Sequence, residues 1–379
     1  MGALTLLDPA YEGVRQAAHD AAKKLAAIAI EADNSSGLHP EVYSILRGSG
    51  LWELVVPAAY GGRNESVDPV AICIVREILM GVCSAADSLF ALQGIGSFAI
   101  TMAGTDAQRR EWLPKVASGE VLAALALSEP LAGSDLKNVS TRAQLADGRI
   151  TLNGHKSFIS NAGVAGYYIV LAQEGDVGLS AFLVPADTPG LTTEPSPELG
   201  APHLLGDVHL VDVTLPESAR IGAPGEGLKP VLATLAVFRA SVAAAAVGLA
   251  QVALEEATRH ARSREQFGRP LIRLGPVAGL LADAWVDVES ARLLTYRAAE
   301  LARTDPLAHL EYSSMAKLAA TEACTRVVDR CVQVCGRWGL IKDSRLERCQ
   351  RQARPMRIYE GASEVLRLGI ARQLAHEVS

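Results

Sequence analysis

One acidic side chain near the C-terminal end of the chain is placed for proton chemistry. Residues 358–361 read Ile-Tyr-Glu-Gly, so Glu360 lies between a bulky apolar pair and Gly361, just before a new apolar period begins. A carboxylate against apolar neighbours has a raised pKa and can accept a proton near neutral pH. Gly361 would let a flat ligand approach the backbone closely. An acid is also favoured at a helix N-terminus for its charge alone, so the segment by itself leaves both interpretations open.

A second candidate is a charge inside the most apolar part of the chain. Residues 231–253 nearly reach membrane-spanning length, but Arg239 and Ser241 interrupt them, and their alanine and glycine content suits a tightly packed buried helix. We therefore expect no membrane insertion. A buried charge needs a partner or a task, so Arg239 is either a site residue or half of a structural salt bridge.

The elements that must position these residues fall into three parts of the chain. Residues 1–119 carry helical periods and helix start signals, which predicts an all-α domain. Residues 120–225 change toward a period of two between glycine, proline and aspartate, which predicts a small β-barrel-like domain. Residues 226–379 hold four long helical segments that suit a four-helix bundle. The expected fold class is α+β.

The periodicity also predicts individual elements. We expect helices over residues 8–32, 40–46, 69–80, 87–102, 105–119, 227–263, 276–303, 308–336 and 362–376. We expect strands over residues 121–127, 141–145, 149–152, 167–172, 179–185 and 207–215. Tight turns are predicted at Asp147-Gly148 and Asn153-Gly154.

Composition excludes several classes of protein. The 379 residues are 49% hydrophobic with a formal net charge of −6, which leaves no electrostatic footprint for a nucleic acid partner. The six cysteines form no secreted framework, and no basic segment precedes an apolar core at the N-terminus, so we expect a reduced cytoplasm. Cys331 and Cys335 lie four apart without a nearby histidine, so we expect no metal. Gly94-Ile-Gly96 lacks a third glycine, so a Rossmann nicotinamide site has no support.

Five short motifs together resemble those of the acyl-CoA dehydrogenase family. They are residues 127–135 (LSEPLAGSD), 153–161 (NGHKSFISN), 248–251 (GLAQ), 264–268 (REQFG) and 358–361 (IYEG). The resemblance implies the fold of that family, with an N-terminal all-α domain, a middle β domain and a C-terminal helical bundle. It also implies an FAD enzyme that introduces an α,β double bond into an acyl thioester.

The resemblance carries roles for individual residues. Glu360 would be the base that abstracts the Cα proton while a hydride passes from Cβ to flavin N5, and Arg239 would tune or orient that base. The position that bears the base in some relatives is Phe238 here, which cannot accept a proton. The residues implied at FAD are Leu127, Ser128, Ser134, Phe158, Ser160, Arg264, Phe267, Gln333, Gly336 and Ala362, and those implied at the substrate are Ser134 and Gly361.

The resemblance also implies partners. In the family, Arg264 and Phe267 would meet the pyrophosphate and adenine of FAD bound mainly to another subunit, so we expect a homo-oligomer, either a dimer or a dimer of dimers. Electrons would pass to an electron-transfer flavoprotein or a similar acceptor.

Departures from the family pattern leave alternatives open. Ala236 and Ala308 stand where relatives that hold coenzyme A have an acid and an arginine, which weakens the case for free coenzyme A esters. The alternative is the same reaction on a substrate tethered to an acyl carrier protein. Leu274 stands at an adenine contact, which would suit a non-catalytic partner subunit in a mixed oligomer. A flavin oxidase or monooxygenase is a further class, and retention of Glu360 argues against the monooxygenase.

A run of arginines at a spacing of three offers a possible basic surface for a carrier protein. The run comprises Arg345, Arg348, Arg351, Arg354 and Arg357. Such a spacing drifts around a helix, and we expect Pro355 to break any helix there, so the alternative is a fan of solvated or internally paired arginines.

Overall fold

The computed structural model describes residues 9–378, which form two compact units. The first unit takes in the described part of Met1–Asp33, with Pro69–Asp87 and the described part of Ala236–Ser379. The second unit takes in Asn34–Asp68 and Ser88–Leu235. Along the chain, helical N- and C-terminal parts enclose a mixed sheet, as the sequence predicts.

The helices begin at the signals that the sequence offers. Pro69 opens one helix, and Thr105 and Gln108 form a reciprocal capping box at the start of another. The helices are α1 (Glu12–Leu25), α2 (Ala29–Asp33), α3 (Pro40–Arg47), α4 (Pro69–Met80), α5 (Ser84–Ala103), α6 (Asp106–Ala117), α7 (Leu228–Ser263), α8 (Gly275–Thr304), α9 (Leu310–Cys335), α10 (Arg345–Met356) and α11 (Ser363–Glu377).

An eight-stranded sheet organises the second unit, and a two-stranded ribbon lies in the first. The strands are β1 (Ala123–Ala126), β2 (Arg142–Ala146), β3 (Arg149–Ser160), β4 (Tyr167–Glu174), β5 (Gly178–Pro185), β6 (Leu191–Pro195), β7 (Leu205–Pro216), β8 (Arg220–Ile221), β9 (Glu265–Gln266) and β10 (Arg269–Pro270). The sheet order is β6-β7-β3-β2-β4-β5-β8, with β1 beside β4 and β10 paired with β9. The β1–β4 and β2–β4 pairs are parallel. Inward residues such as Ile150, Val170, Phe182 and Val208 build its core.

Buried amides fix β1, the strand that leads to Leu127 and Ser128. The side chain of Gln93 donates to the carbonyls of Val116 and Val121 and accepts from the N–H of Ala123 at 2.8 Å. Asn161 donates to the Ala123 carbonyl at 3.0 Å. Because each bond satisfies a buried backbone group, the start of β1 is held from both sides.

Several local predictions are wrong. Residues 26–28 interrupt the helix predicted over 8–32, whose first residue lies outside the described part of the chain. Asn153 and Gly154 are not a turn but lie within β3 at a bulge, where a Cβ on Gly154 would come within 2.4 Å of Thr141. The strand β6 escaped prediction because its mostly exposed residues show no alternation.

The helix α10 also contradicts the expectation that Pro355 breaks any helix there. Pro355 lies in the last turn, and its carbonyl accepts hydrogen bonds from the N–H groups of Ile358 and Tyr359 as the chain leaves the helix. A proline one residue from the helix end disrupts little of the hydrogen-bond ladder behind it.

Within residues 9–378, one helix is long and apolar enough by composition to cross a membrane. This helix is α7, and 89% of its most apolar window is buried inside the protein. That burial is the packing of a core helix, as the sequence predicts.

Candidate active site

Glu360 lies in the short turn that joins α10 to α11. Its backbone has φ 52°, and Gly361 follows with φ 110°. Positive φ is strained for a glutamate and is readily adopted by glycine. A Cβ on Gly361 would approach the Leu366 side chain to 2.9 Å and Arg239 to 3.3 Å, so the turn is closely packed on that side. The predicted loop-to-helix entry is confirmed, since α11 begins at Ser363.

Arg239 on α7 holds the backbone of this turn and is no simple salt-bridge partner. Its Nε donates to the carbonyl oxygen of Glu360 at 2.8 Å, and its Nη1 donates to Ser314 Oγ at 3.2 Å. Ser314 donates in turn to the Leu310 carbonyl in α9. Burial lowers the pKa of the Arg239 guanidinium, and the charge of Glu360 raises it. Arg239 therefore orients the backbone of Glu360.

Lys317 on α9 is a contributor that sequence reasoning missed. Its side chain is fully buried, and its Nζ donates to the carbonyl oxygen of Gly361 at 2.7 Å. Burial lowers the pKa of this lysine to about 8. Successive carbonyls of the turn thus accept from cations on two different helices. A lone lysine among small residues such as Ser314 and Ala316 is the sequence signal that could have identified it.

The Glu360 carboxylate itself is desolvated and incompletely bonded. Its Oε2 is shielded from solvent and has no hydrogen-bond partner among the described residues. Burial raises the pKa of Glu360, while the positive charges of Arg76, Lys317 and Arg239 oppose that rise. The sequence predicts this raised pKa, although the adjacent Ile358 and Tyr359 side chains are themselves exposed. The role of Glu360 as a proton acceptor stays a prediction.

Arg76, one of the cations that act on Glu360, belongs to a buried ion pair. Sequence reasoning missed this residue. Arg76 on α4 binds both carboxylate oxygens of Asp87, at 2.9 and 2.8 Å, and donates to Ser241 on α7 at 3.0 Å. Both charged side chains are almost completely buried. The fork geometry satisfies the pair internally, so its effect on Glu360 acts through space.

In the second unit, Leu127 and Ser128 lie beside β3. The N–H of Ser157 donates to the Ser128 carbonyl at 2.9 Å, and Lys156 Nζ donates to the Leu127 carbonyl at 3.1 Å. Lys156 also binds Glu129 at 2.8 Å. These contacts bring together the motifs at residues 127–135 and 153–161. Residues of both motifs are predicted to contact FAD.

The end of β3 presents an exposed ring and a hydroxyl. Phe158 has φ 54° and a 54% exposed side chain, and Asp207 accepts from its N–H at 3.3 Å. Ser160 Oγ lies 3.0 Å from Nε2 of His203, whose pKa burial lowers to about 4. His203 was also missed, because nothing in its loop indicates that it meets Ser160. A flat apolar surface flanked by hydroxyls fits an isoalloxazine ring, whose edges carry donors and acceptors.

Most of the remaining predicted site residues lie at the surface. Ser134 is exposed, as is Leu131 three residues earlier. In the first unit, Arg264 and Phe267 lie around the β9–β10 ribbon, with Phe267 90% exposed and at φ 53°. Gln333 and Gly336 are exposed at the C-terminal end of α9, and Ala362 caps α11. The structure brings Glu360, Arg239, Gly361 and Ala362 together.

Family models match almost the whole chain. The N-terminal domain of acyl-CoA dehydrogenase matches residues 9–120, the middle domain matches residues 124–213, and the C-terminal domain matches residues 225–375.

Individual relatives agree with these matches. The chain is 36% identical over 362 residues to cyclohex-1-ene-1-carbonyl-CoA dehydrogenase of Geobacter metallireducens, covering 93% of this chain and 94% of that protein. Butyryl-CoA dehydrogenase from Megasphaera elsdenii superposes with a TM-score of 0.92 at 30% identity, over 97% of this chain and 99% of the other. The prolyl acyl carrier protein oxidase AnaB superposes with a TM-score of 0.90 at 26% identity, over 97% and 99%. The chain therefore belongs to the acyl-CoA dehydrogenase family of flavin-dependent oxidoreductases.

Proposed function

We propose that the protein is an FAD-dependent dehydrogenase that introduces an α,β double bond into an acyl thioester. The observation that carries this proposal is the Glu360 carboxylate, which is desolvated, lacks a partner at Oε2 and lies at the position of the family's base. A structural glutamate would be expected to have both oxygens bonded.

Glu360 takes the Cα proton of the substrate. Its raised pKa makes the carboxylate a better acceptor for a weakly acidic proton, and the nearby cations keep it ionised enough to act. Arg239 and Lys317 hold the carbonyls of Glu360 and Gly361, which fixes the two peptide groups that follow the base. The Glu360 N–H is the candidate donor to the thioester oxygen. Bound FAD supplies the acceptor for the hydride that leaves Cβ.

Residues of the second unit support the assignment of the flavin. Ser128 and Ser160 offer hydroxyls, and the exposed Phe158 ring offers a packing surface. Ser134 is a candidate for the phosphates or the thioester arm. Arg264, Phe267, Gln333 and Gly336 would meet the adenine half of FAD in a second subunit, and their exposure leaves them available for it.

A homo-oligomer, either a dimer or a dimer of dimers, is part of the proposal. Helix α8 exposes Trp285, Val286 and Leu293, and the last two lie seven residues apart on one face. An apolar helix face of this kind is typical of a surface covered by another subunit. The six cysteines, all within the described range, are free and buried, which supports a reducing compartment such as the cytoplasm.

The preferred tether is coenzyme A, with an acyl carrier protein as the second candidate. Ala236 and Ala308 provide neither of the charged groups that relatives use for coenzyme A, and AnaB shows that the fold is compatible with carrier-protein chemistry. Four arginines of the predicted basic run are internally engaged, which argues against a dock built from them. They bind the Gly81 carbonyl (Arg345), Asp33 (Arg348), Glu347 and Asp343 (Arg351), and Glu322 (Arg357).

Anaerobic mixing with a panel of acyl-CoAs, and with the same acyl groups on a carrier protein, tests the reaction and its tether. Purified protein should be yellow with one FAD per subunit, and one series of thioesters should bleach the flavin. A colourless protein would indicate a non-catalytic partner subunit. Rapid reoxidation of the bleached flavin by air would identify an oxidase.

The Glu360→Gln variant tests the base. It should retain the flavin and lose at least about 1,000-fold in the rate of bleaching, because the amide cannot accept the proton. Unchanged bleaching by this variant would remove Glu360 from the mechanism.

A further inference from the structure

Lys317 is a buried cation whose hydrogen bond goes to a neutral partner. Its side chain is completely inaccessible to solvent, yet its Nζ donates to the Gly361 carbonyl. Burying an ammonium group is unfavourable unless charge or hydrogen bonds compensate for it. A neutral donor could make the same bond to a carbonyl, so the bond alone does not explain why a charge is present.

The charged groups around Lys317 explain it better. Those acting on it are Glu360 in the turn, Glu322 on α9, Glu364 on α11 and Arg239 on α7. The groups acting on Glu360 are Arg76 on α4, Lys317 on α9 and Arg239 on α7, which favour its ionised form, and Asp87 on α5, which opposes it. Arg76 forms a fork with Asp87, whose negative charge offsets part of its effect on Glu360. Lys317 and Arg239 are the cations of this group that bind the carbonyls of the Glu360–Gly361 turn.

Lys317 and Arg239 orient the turn through hydrogen bonds to its carbonyls, whereas their charges act on the Glu360 carboxylate through space. Lys317 and Arg239 are bound to the carbonyl oxygens of Gly361 and Glu360, and Oε2 of Glu360 is left without a partner. A lysine bonded directly to that carboxylate would lower its proton affinity strongly and would have to be displaced when the proton arrives. A lysine fixed on the next carbonyl favours the carboxylate through space and leaves its oxygens accessible.

We propose that Lys317 is a positioning residue for the base: its ammonium group anchors the Gly361 carbonyl, fixes the Glu360–Gly361 turn and holds Glu360 ionised by charge without binding its carboxylate. This inference rests on the proposed function of Glu360 as the proton acceptor. It predicts that loss of the charge at residue 317 makes Glu360 harder to ionise.

The test compares Lys317→Met and Lys317→Arg in the FAD-loaded full chain. The rate of flavin bleaching in a single turnover is measured across pH for each variant. For Lys317→Met, the acidic limb of the profile should move to higher pH by about 1 unit or more, because a buried charge acting on Glu360 is lost. Lys317→Arg keeps the charge and should shift the limb less. Thr325→Val, two turns further along α9, is the matched control and should leave the limb in place.

An infrared titration of the protein makes the result independent of turnover. The carboxyl band present in the wild type and absent in Glu360→Gln reports protonation of Glu360 directly. In Lys317→Met that band should persist to higher pH. A folded Lys317→Met protein with an unshifted band and an unshifted acidic limb would overturn the proposal. If no thioester bleaches the wild type, the proposed function fails, while the infrared titration still decides the role of Lys317.

Discussion

Two glutamates of this protein, one in each compact unit, lie near a buried lysine and have opposite properties. Glu129, between β1 and β2, receives five hydrogen bonds: one from Lys156 Nζ and two each from Ser140 and Thr141. These bonds lower its pKa to about 2 despite burial. Glu360 has a raised pKa, and its lysine donates to a backbone carbonyl instead.

The groups that accept the hydrogen bonds decide what each of these acids can do. At Glu129 five donors bind the carboxylate, which fixes its negative charge, and Lys156 also joins the Leu127 carbonyl to β3. At Glu360 the donors hold the peptide groups around the carboxylate, so the turn is rigid while the acid stays reactive. The first arrangement suits a structural role and the second suits proton transfer.

Replacing each acid by glutamine should give the largest difference in the free energy of unfolding. We expect Glu129→Gln to lower the free energy of unfolding by about 3–5 kcal/mol, because Lys156 is left buried without its counter-charge. Glu360→Gln should change it by less than about 1 kcal/mol, or raise it, since a desolvated carboxylate is removed. Urea unfolding at pH 7 measures both.

Acid titration checks the same pair of variants from another direction. The folded pKa of Glu129 lies below its unfolded value of 4.5, so its contribution to stability is present above that value and is lost as pH falls toward about 2. The deficit of Glu129→Gln relative to the wild type should therefore shrink with acid. Equal losses from the two glutamine variants at neutral pH would refute the contrast between the acids.

A smaller effect is expected at the glycine of the base turn. Gly361→Ala introduces a Cβ at φ 110° and within 2.9 Å of Leu366, so it should lower the free energy of unfolding by about 1–3 kcal/mol. The matched control is Gly369→Ala in α11, where nothing lies within 4 Å of the added atom. There the variant should gain about 0.5–1 kcal/mol, because alanine favours a helix.

Flavin bleaching by the same glycine variants separates strain from function. Gly361→Ala should slow bleaching because it displaces Glu360, whereas Gly369→Ala should not. A Gly361→Ala protein as stable and as active as the wild type would show that the turn is not held as tightly as its contacts indicate.

The sequence predicted the residues that stand out in local patterns better than those that depend on distant contacts. Glu360, Gly361 and Arg239 could be identified because an acid beside glycine and a charge in an alanine-rich helix are local patterns. Arg76 and His203 could not, because their significance depends on contacts with residues 11 and 43 positions away. Lys317 offers only the weak signal of a lone lysine among small residues, since its contact with Gly361 is 44 positions away. Amphipathic helices and alternating strands were predictable for the same local reason, whereas the exposed β6 and the proline-bearing α10 were not.

His203 is a third titratable group with a shifted pKa, and the smallest effect is expected for it. It meets Ser160, a neutral partner, and burial lowers its pKa to about 4, below the ordinary 6.5. The unfolded chain therefore binds a proton between these values that the folded protein excludes. His203 contributes to stability above pH 6.5, and this contribution is lost as pH falls toward 4.

Replacing His203 with glutamine should remove that sensitivity to acid. Between pH 7 and pH 5 the wild type should lose roughly 1 kcal/mol more unfolding free energy than His203→Gln, a figure reduced from the full linkage value because the imidazole is only partly buried. His19→Gln, at an exposed position on α1, is the control and should follow the wild type. If His203→Gln and the wild type lose stability in parallel, the histidine is protonated in the folded protein. A neutral partner would then not be enough to decide its charge, and the rule drawn from the two glutamates would not extend beyond carboxylates.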